Sequence, residues 1–160
     1  MRKIDQLLTA YGESHQNQTN KMVHWICVPA IMFSLIGLVW NLPAGGLQNI
    51  LGLVSHPWVN WGSFFLIVAS IYYLRLSLPL FFGMLFISLL LAWGNVQLHA
   101  LGTGQHLWIS VAIFVVAWIG QFIGHKIEGK KPSFLEDVQF LLVGPAWLLH
   151  FIYQKVGIRW

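Results

Sequence analysis

The chain has very little charge and almost no cysteine. Only 9% of its 160 residues are Asp, Glu, Lys or Arg, against 57% hydrophobic, which is far from the balance of a soluble domain. Cys27 is the single cysteine. An intrachain disulfide and a four-cysteine zinc or iron-sulfur site are therefore excluded, and any metal must be held by nitrogen and oxygen donors. Internal repeats and low-complexity tracts are also lacking. The start, "MRKIDQLLTAYGESHQ", has basic residues but no uninterrupted apolar core, so it does not read as a cleavable signal peptide.

What fills the chain instead is long uncharged apolar sequence. Met22–Leu42, Trp58–Leu74, Leu78–Leu98 and Leu107–Gly124 approach or exceed the ~18–20 residues that a helix needs to cross hydrocarbon. A fifth stretch, Phe140–Tyr153, is shorter and is interrupted by Gly144-Pro145. The expected fold is an all-α integral membrane protein forming one domain. It has about four transmembrane helices, an N-terminal amphipathic helix, and a C-terminal helix that is buried or re-entrant.

Charge sets the orientation. Every charged residue lies in 2–21, at Arg75, in 126–137, or at Lys155 and Arg159, and the other connections are bare. Four crossings put all of these on one side, which the excess of Lys and Arg marks as cytoplasmic, with both termini there. The membrane would be the bacterial inner membrane in a prokaryote and the endoplasmic reticulum in a eukaryote. The net charge of +4 is scattered among apolar segments and fits topology and lipid contact; it gives no nucleic-acid surface.

Local signals refine this plan. Ile4, Leu7, Leu8, Tyr11 and His15 follow helical steps, while "QNQTN" after them has weak helix propensity and several capping residues, predicting a bend that folds His15 toward His24. Ser133 and Glu136 have capping-box spacing before the last helix, which Pro145 should kink near Leu141. Gly120 and Gly124 form a G-x-x-x-G pattern that reads as close helix packing, and the tryptophans, mostly near span ends, read as an interfacial belt.

The topology sorts the histidines. His56, His99 and His106 fall near the bare connections; His15, His24 and His125 fall at the charged boundary, and His150 sits on the last helix. Imidazoles on one side make a metal site geometrically available, and each ligand needs an acceptor for its second nitrogen. Asn20 is four residues before His24, Gln121 four before His125, and Glu128 three after it, so each would share a helical face with its histidine. A histidine at a membrane boundary also serves simply as a headgroup partner, which is the plain alternative for any one of them.

"YGESHQNQTNKMVHWICVP" and "QFIGHKIEGKKP" together resemble the paired signatures of the 2-hydroxy fatty acid dioxygenase family, small membrane proteins of the fungal phytosphingosine-breakdown type. The likeness rests on Tyr11, Ser14, His15, Asn20, His24 and Pro29, then on Gln121, Gly124, His125, Glu128 and Pro132. The resemblance implies an Fe(2+)-dependent enzyme that uses dioxygen to shorten a long-chain 2-hydroxy fatty acid by one carbon. It implies His15, His24 and His125 as metal ligands, with His150, where eukaryotic relatives carry a carboxylate, as a fourth. Glu128, Asn20 and Gln121 are the candidates for proton transfer and ligand orientation. Two rival classes remain: a non-catalytic lipid-binding or assembly protein, and a zinc-dependent membrane hydrolase using the same histidines. The sequence sets neither chain length, stereochemistry nor oligomeric state.

Overall fold

A computed structural model of the chain describes residues 2–53, 56–133 and 138–159. The described residues form seven helices: α1 (Lys3–Glu13), α2 (Gln18–Trp40), α3 (Gly45–Leu51), α4 (Trp61–Leu76), α5 (Leu78–His99), α6 (Thr103–Glu128) and α7 (Phe140–Val156). The protein is all-helical. Three helices, α2, α5 and α6, are long and apolar enough to cross a membrane. The apolar helices α4 and α7 have 16 and 17 residues, about 24 and 25 Å of helix. The short α3 lies in a connection that periodicity left without structure.

The helix starts are set by short polar side chains. Asn17 accepts from the amides of Thr19 and Asn20 to open α2, Asn60 from Ser63 to open α4, and Ser77 from Leu80 to open α5. The cap at Asn17 makes the bend between α1 and α2 shorter than the sequence suggested. It occupies residues 14–17, and Thr19 and Asn20 already belong to the first turn of α2. Gly129, at φ 74°, ends α6 in the left-handed conformation that glycine adopts without strain.

The antiparallel pair α2 and α6 is the spine. At one end the Asn20 amide donates to Glu128; at the other the Asn41 amide meets His106. Small residues let the two backbones approach. A Cβ at Gly120 would stand 2.6 Å from Cys27 Sγ, and one at Gly124 would stand 2.5 Å from Asn20 Oδ1. The G-x-x-x-G pattern is therefore a contact surface for α2.

α7 packs on α1 and against the connection between α4 and α5. The Tyr73 hydroxyl donates to the Leu142 carbonyl, and the Tyr153 hydroxyl donates to the Pro79 carbonyl. Two residues eleven positions apart on α7 are thus held by residues six apart around one turn. Pro145 lies inside α7 and cannot donate to the Leu141 carbonyl. Of the expected capping box, Glu136 lies outside the described residues, and the Ser133 hydroxyl instead meets Ser14 Oγ at 2.6 Å.

Candidate metal centre

His15 follows the end of α1, His24 sits nearly two turns into α2, and His125 one turn before the end of α6. All three are buried, and one ring nitrogen from each lies within 4.8 Å of the others. First-row ions bind imidazole at about 2.0–2.1 Å, so ligands of one ion lie no more than roughly 4 Å apart, and small side-chain shifts suffice to reach that.

The hydrogen bonds fix what each ring presents. His15 Nδ1 meets the Tyr11 carbonyl, and His24 Nδ1 meets the Asn20 carbonyl at 2.9 Å. A carbonyl only accepts, so both Nδ1 atoms carry the hydrogen and both Nε2 atoms present lone pairs. Those Nε2 atoms are 2.8 Å apart. With both rings in these tautomers no hydrogen lies between the two nitrogens, and a cation bridging them would relieve the contact. A proton is a poor candidate, because burial, followed by the neighbouring His24, pulls the His15 pKa from 6.5 down to about 3. His125 adds a third feature, since its Nδ1 is buried with no hydrogen-bond partner. Facing lone pairs and an orphaned ring nitrogen form a donor set that could hold a metal ion, and an all-nitrogen trio suits iron, zinc or copper alike.

The surroundings hold the trio in place. The His15 ring stacks on Tyr11 at 4.1 Å between centroids and tilts against Trp147 at 5.2 Å. Glu128 sits at the bend: its carboxylate accepts from the Gln16 amide at 2.8 Å, the Asn17 amide at 2.9 Å and Asn20 Nδ2 at 3.1 Å. The end of α6 thereby grips the start of α2 and the loop that carries His15, with a carboxylate at the positive end of a helix. Lys130 Nζ donates to the Glu13 carbonyl at the opposite pole of α1. A cavity of about 50 Å³ adjoins the trio, lined by His24, His125, Gln121, Tyr11 and Ser133 among others.

Each sequence candidate therefore has a definite place. His15, His24 and His125 converge, Gln121 lines the cavity, and Asn20 and Glu128 pin the bend. His150 does not join the trio; it is half-buried on α7 with its ring 5.5 Å from that of Phe151. Trp147, one turn earlier, is the α7 residue that reaches His15. Its contact was not anticipated, because spacing gave no reason to separate it from the other tryptophans. The acceptors that orient His15 and His24 were also missed, since they are main-chain carbonyls and leave no mark on side-chain identity.

A second polar cluster lies at the far end. His106 is fully buried, with Nε2 2.9 Å from Asn95 Oδ1 and Nδ1 3.0 Å from the Asn41 amide, and His99 Nδ1 lies 3.1 Å from it. Nineteen residues of α6 separate His106 from His125, about 28 Å. Here an amide supplies the acceptor and the rings are tied into a network between α2, α5 and α6.

The model of the 2-hydroxy-palmitic acid dioxygenase Mpo1-like family matches residues 1–156. The chain belongs to that family. The Mpo1-like match spans both histidine segments and every helix described above. A curated relative, the 2-hydroxy-palmitic acid dioxygenase MPO1 of Saccharomyces cerevisiae, is 28% identical over 151 residues, covering 92% of this chain and 78% of that protein. No solved structure matches.

Proposed function

We propose that the protein is an Fe(2+)-dependent dioxygenase that shortens long-chain 2-hydroxy fatty acids by one carbon, with His15, His24 and His125 as the metal ligands. The observation that carries this reading is the pair of Nε2 lone pairs facing each other at 2.8 Å beside the orphaned nitrogen of His125, in a chain of a family whose yeast relative is named for 2-hydroxy-palmitic acid. Three ligands leave positions free on an ion that prefers more. His15, His24 and His125 would hold the iron, which when bound would supply the oxygen-activating chemistry for cleavage between the first two carbons of the 2-hydroxy acid.

The chain's own residues orient and enclose. The Tyr11 and Asn20 carbonyls hold the His15 and His24 tautomers, and such outer partners sustain both ligand direction and basicity. Glu128, with three donors on its carboxylate, acts as a positioning residue for the bend. Gln121 and Ser133 line the cavity where a carboxylate and hydroxyl would sit. The reaction balances without a further reductant: the 2-hydroxy acid and dioxygen give the shortened acid, carbon dioxide and water.

The topology that fits is four crossings, by α2, α4, α5 and α6, with both termini cytoplasmic and α7 packed across the cytoplasmic end. Supporting it are the charge-free connections on one side and the two tyrosine hydroxyl bonds that hold α7 at the α4–α5 turn. α4 then crosses as a short helix in a locally thinned bilayer.

Purification under anaerobic conditions with iron, then addition of 2-hydroxyhexadecanoic acid and oxygen, tests the reading. Pentadecanoic acid formed with oxygen uptake is the expected result. Iron-replete protein that consumes no oxygen and yields no shortened acid sinks it.

A further inference from the structure

The cavity beside the trio is one of three that share walls. Ser133 and Phe140 line both this cavity and a polar recess of about 400 Å³ that reaches Glu13, Lys130 and Lys131. Ile31, Met32 and Leu141 line both this cavity and an apolar one of about 220 Å³ that reaches Leu35, Phe65 and Leu142. The order is therefore a basic mouth, then the histidine and Gln121 chamber, then an apolar pocket between α2, α4 and α7. That gradient fits an amphiphile with its head at the trio and its tail in the pocket.

The pocket has a length. His24 and Leu35 are eleven residues apart on α2, about 16 Å along the helix. Half of a ~30 Å hydrocarbon core is about 15 Å, the depth occupied by one acyl chain in its leaflet. A chain anchored at the trio and lying along α2 reaches its end where Leu35 and Phe65 stand.

We propose that this apolar pocket is the acyl-chain site, that the chain passes Ile31, Met32 and Leu141 on its way from the trio, and that Leu35 and Phe65 close the far end and set the chain length. The assignment of the head group rests on the dioxygenase reading above; the location of the chain is an independent claim.

Two measurements test it. The first is anaerobic photolabelling of the iron-loaded, full-length protein with 2-hydroxyhexadecanoic acid carrying a diazirine at the chain end. Label on the peptides containing Leu35 and Phe65 is expected, and label on the outer faces of α5 and α6 or spread evenly overturns the proposal. The second is the ratio of kcat/KM for 2-hydroxyhexadecanoic over 2-hydroxydecanoic acid. Leu35→Trp should shift it at least tenfold toward the shorter acid, and Phe65→Ala should shift the matching ratio of 2-hydroxytetracosanoic over 2-hydroxyhexadecanoic acid at least tenfold toward the longer acid, because a single methylene that loses or gains room is worth about tenfold or more. Unchanged ratios in both variants, with iron content equal to the parent, also overturn it. Label in the pocket without turnover leaves the chain site standing and removes the dioxygenase reading; turnover with label elsewhere does the reverse.

Discussion

His15 and His24 face each other through two nitrogens, 2.8 Å apart, neither of which carries a hydrogen. Between neutral rings that contact is repulsive, and a metal ion bound there, as proposed, would turn it into an attraction to both nitrogens. The contact is local to the trio, and the variants below separate it from the rest of the bundle.

Single replacement of His15, His24 or His125 by Ala should lower iron affinity by more than the roughly 10- to 100-fold that loss of an outer partner costs. Helicity should persist, since other contacts hold these helices. His150→Ala should retain its iron, because that ring stands outside the trio. Metal analysis with circular dichroism on the same samples decides this, and iron lost equally at His150 would contradict the assignment.

Glu128→Gln keeps the shape but replaces one acceptor oxygen with a donor facing the amides of Gln16 and Asn17. Iron affinity should fall about 10- to 100-fold, while turnover per bound iron holds. Amide exchange over residues 14–17 should accelerate in the same variant. Full iron occupancy with collapsed turnover would instead make Glu128 a proton carrier.

Trp147 is the tryptophan whose ring lies 5.2 Å from His15. Adding Fe(2+) or Co(2+) to metal-free protein should quench its emission, and Trp147→Phe should remove most of that change among the nine tryptophans. Quenching that survives the substitution would place the ion elsewhere.

Asn95→Ala strips the acceptor from a fully buried His106 about 28 Å from the trio. Each interhelical polar contact of this kind contributes about 1 kcal/mol in a membrane bundle. The melting temperature should drop and iron content should not. A loss of iron would mean that the two ends are coupled through α6.

Gly124→Ala drives a methyl group to within 2.5 Å of Asn20 Oδ1 and 3.2 Å of Val23. Overpacking of this sort costs about 1–3 kcal/mol, and here the displaced residue also supplies the carbonyl that orients His24. Stability and iron affinity should therefore fall together, which a thermal melt and a metal titration on one preparation would show.

The all-helical fold was legible because apolar runs longer than ~18 residues admit little else, and the side of the bundle on which each histidine falls followed from where the charges are. Helix ends were less legible. α6 extends four residues at each end beyond its expected apolar run, through Thr103 and Glu128, because polar residues continue a helix that periodicity stops counting. The convergence of His15 with His24 depends on a four-residue bend held by a carboxylate more than a hundred residues away. No local pattern reports such a contact. Sequence spacing pointed to Asn20 as a partner of His24, and the residue does serve it, but through its backbone carbonyl. On α7 spacing alone does not separate helical position from direction, and it is Trp147, one turn before His150, whose ring lies against His15.

The clamp between Glu128 and the bend also has a temporal meaning. Two of the three histidines are made at the start of synthesis and the third within α6, so the bend that Glu128 clamps is pinned only once the later helix has docked. A nascent chain with α1 and α2 alone holds no complete ligand set. On the proposed reading, metal capture becomes a checkpoint on assembly, and a misinserted chain would lack the ligand set for oxygen chemistry.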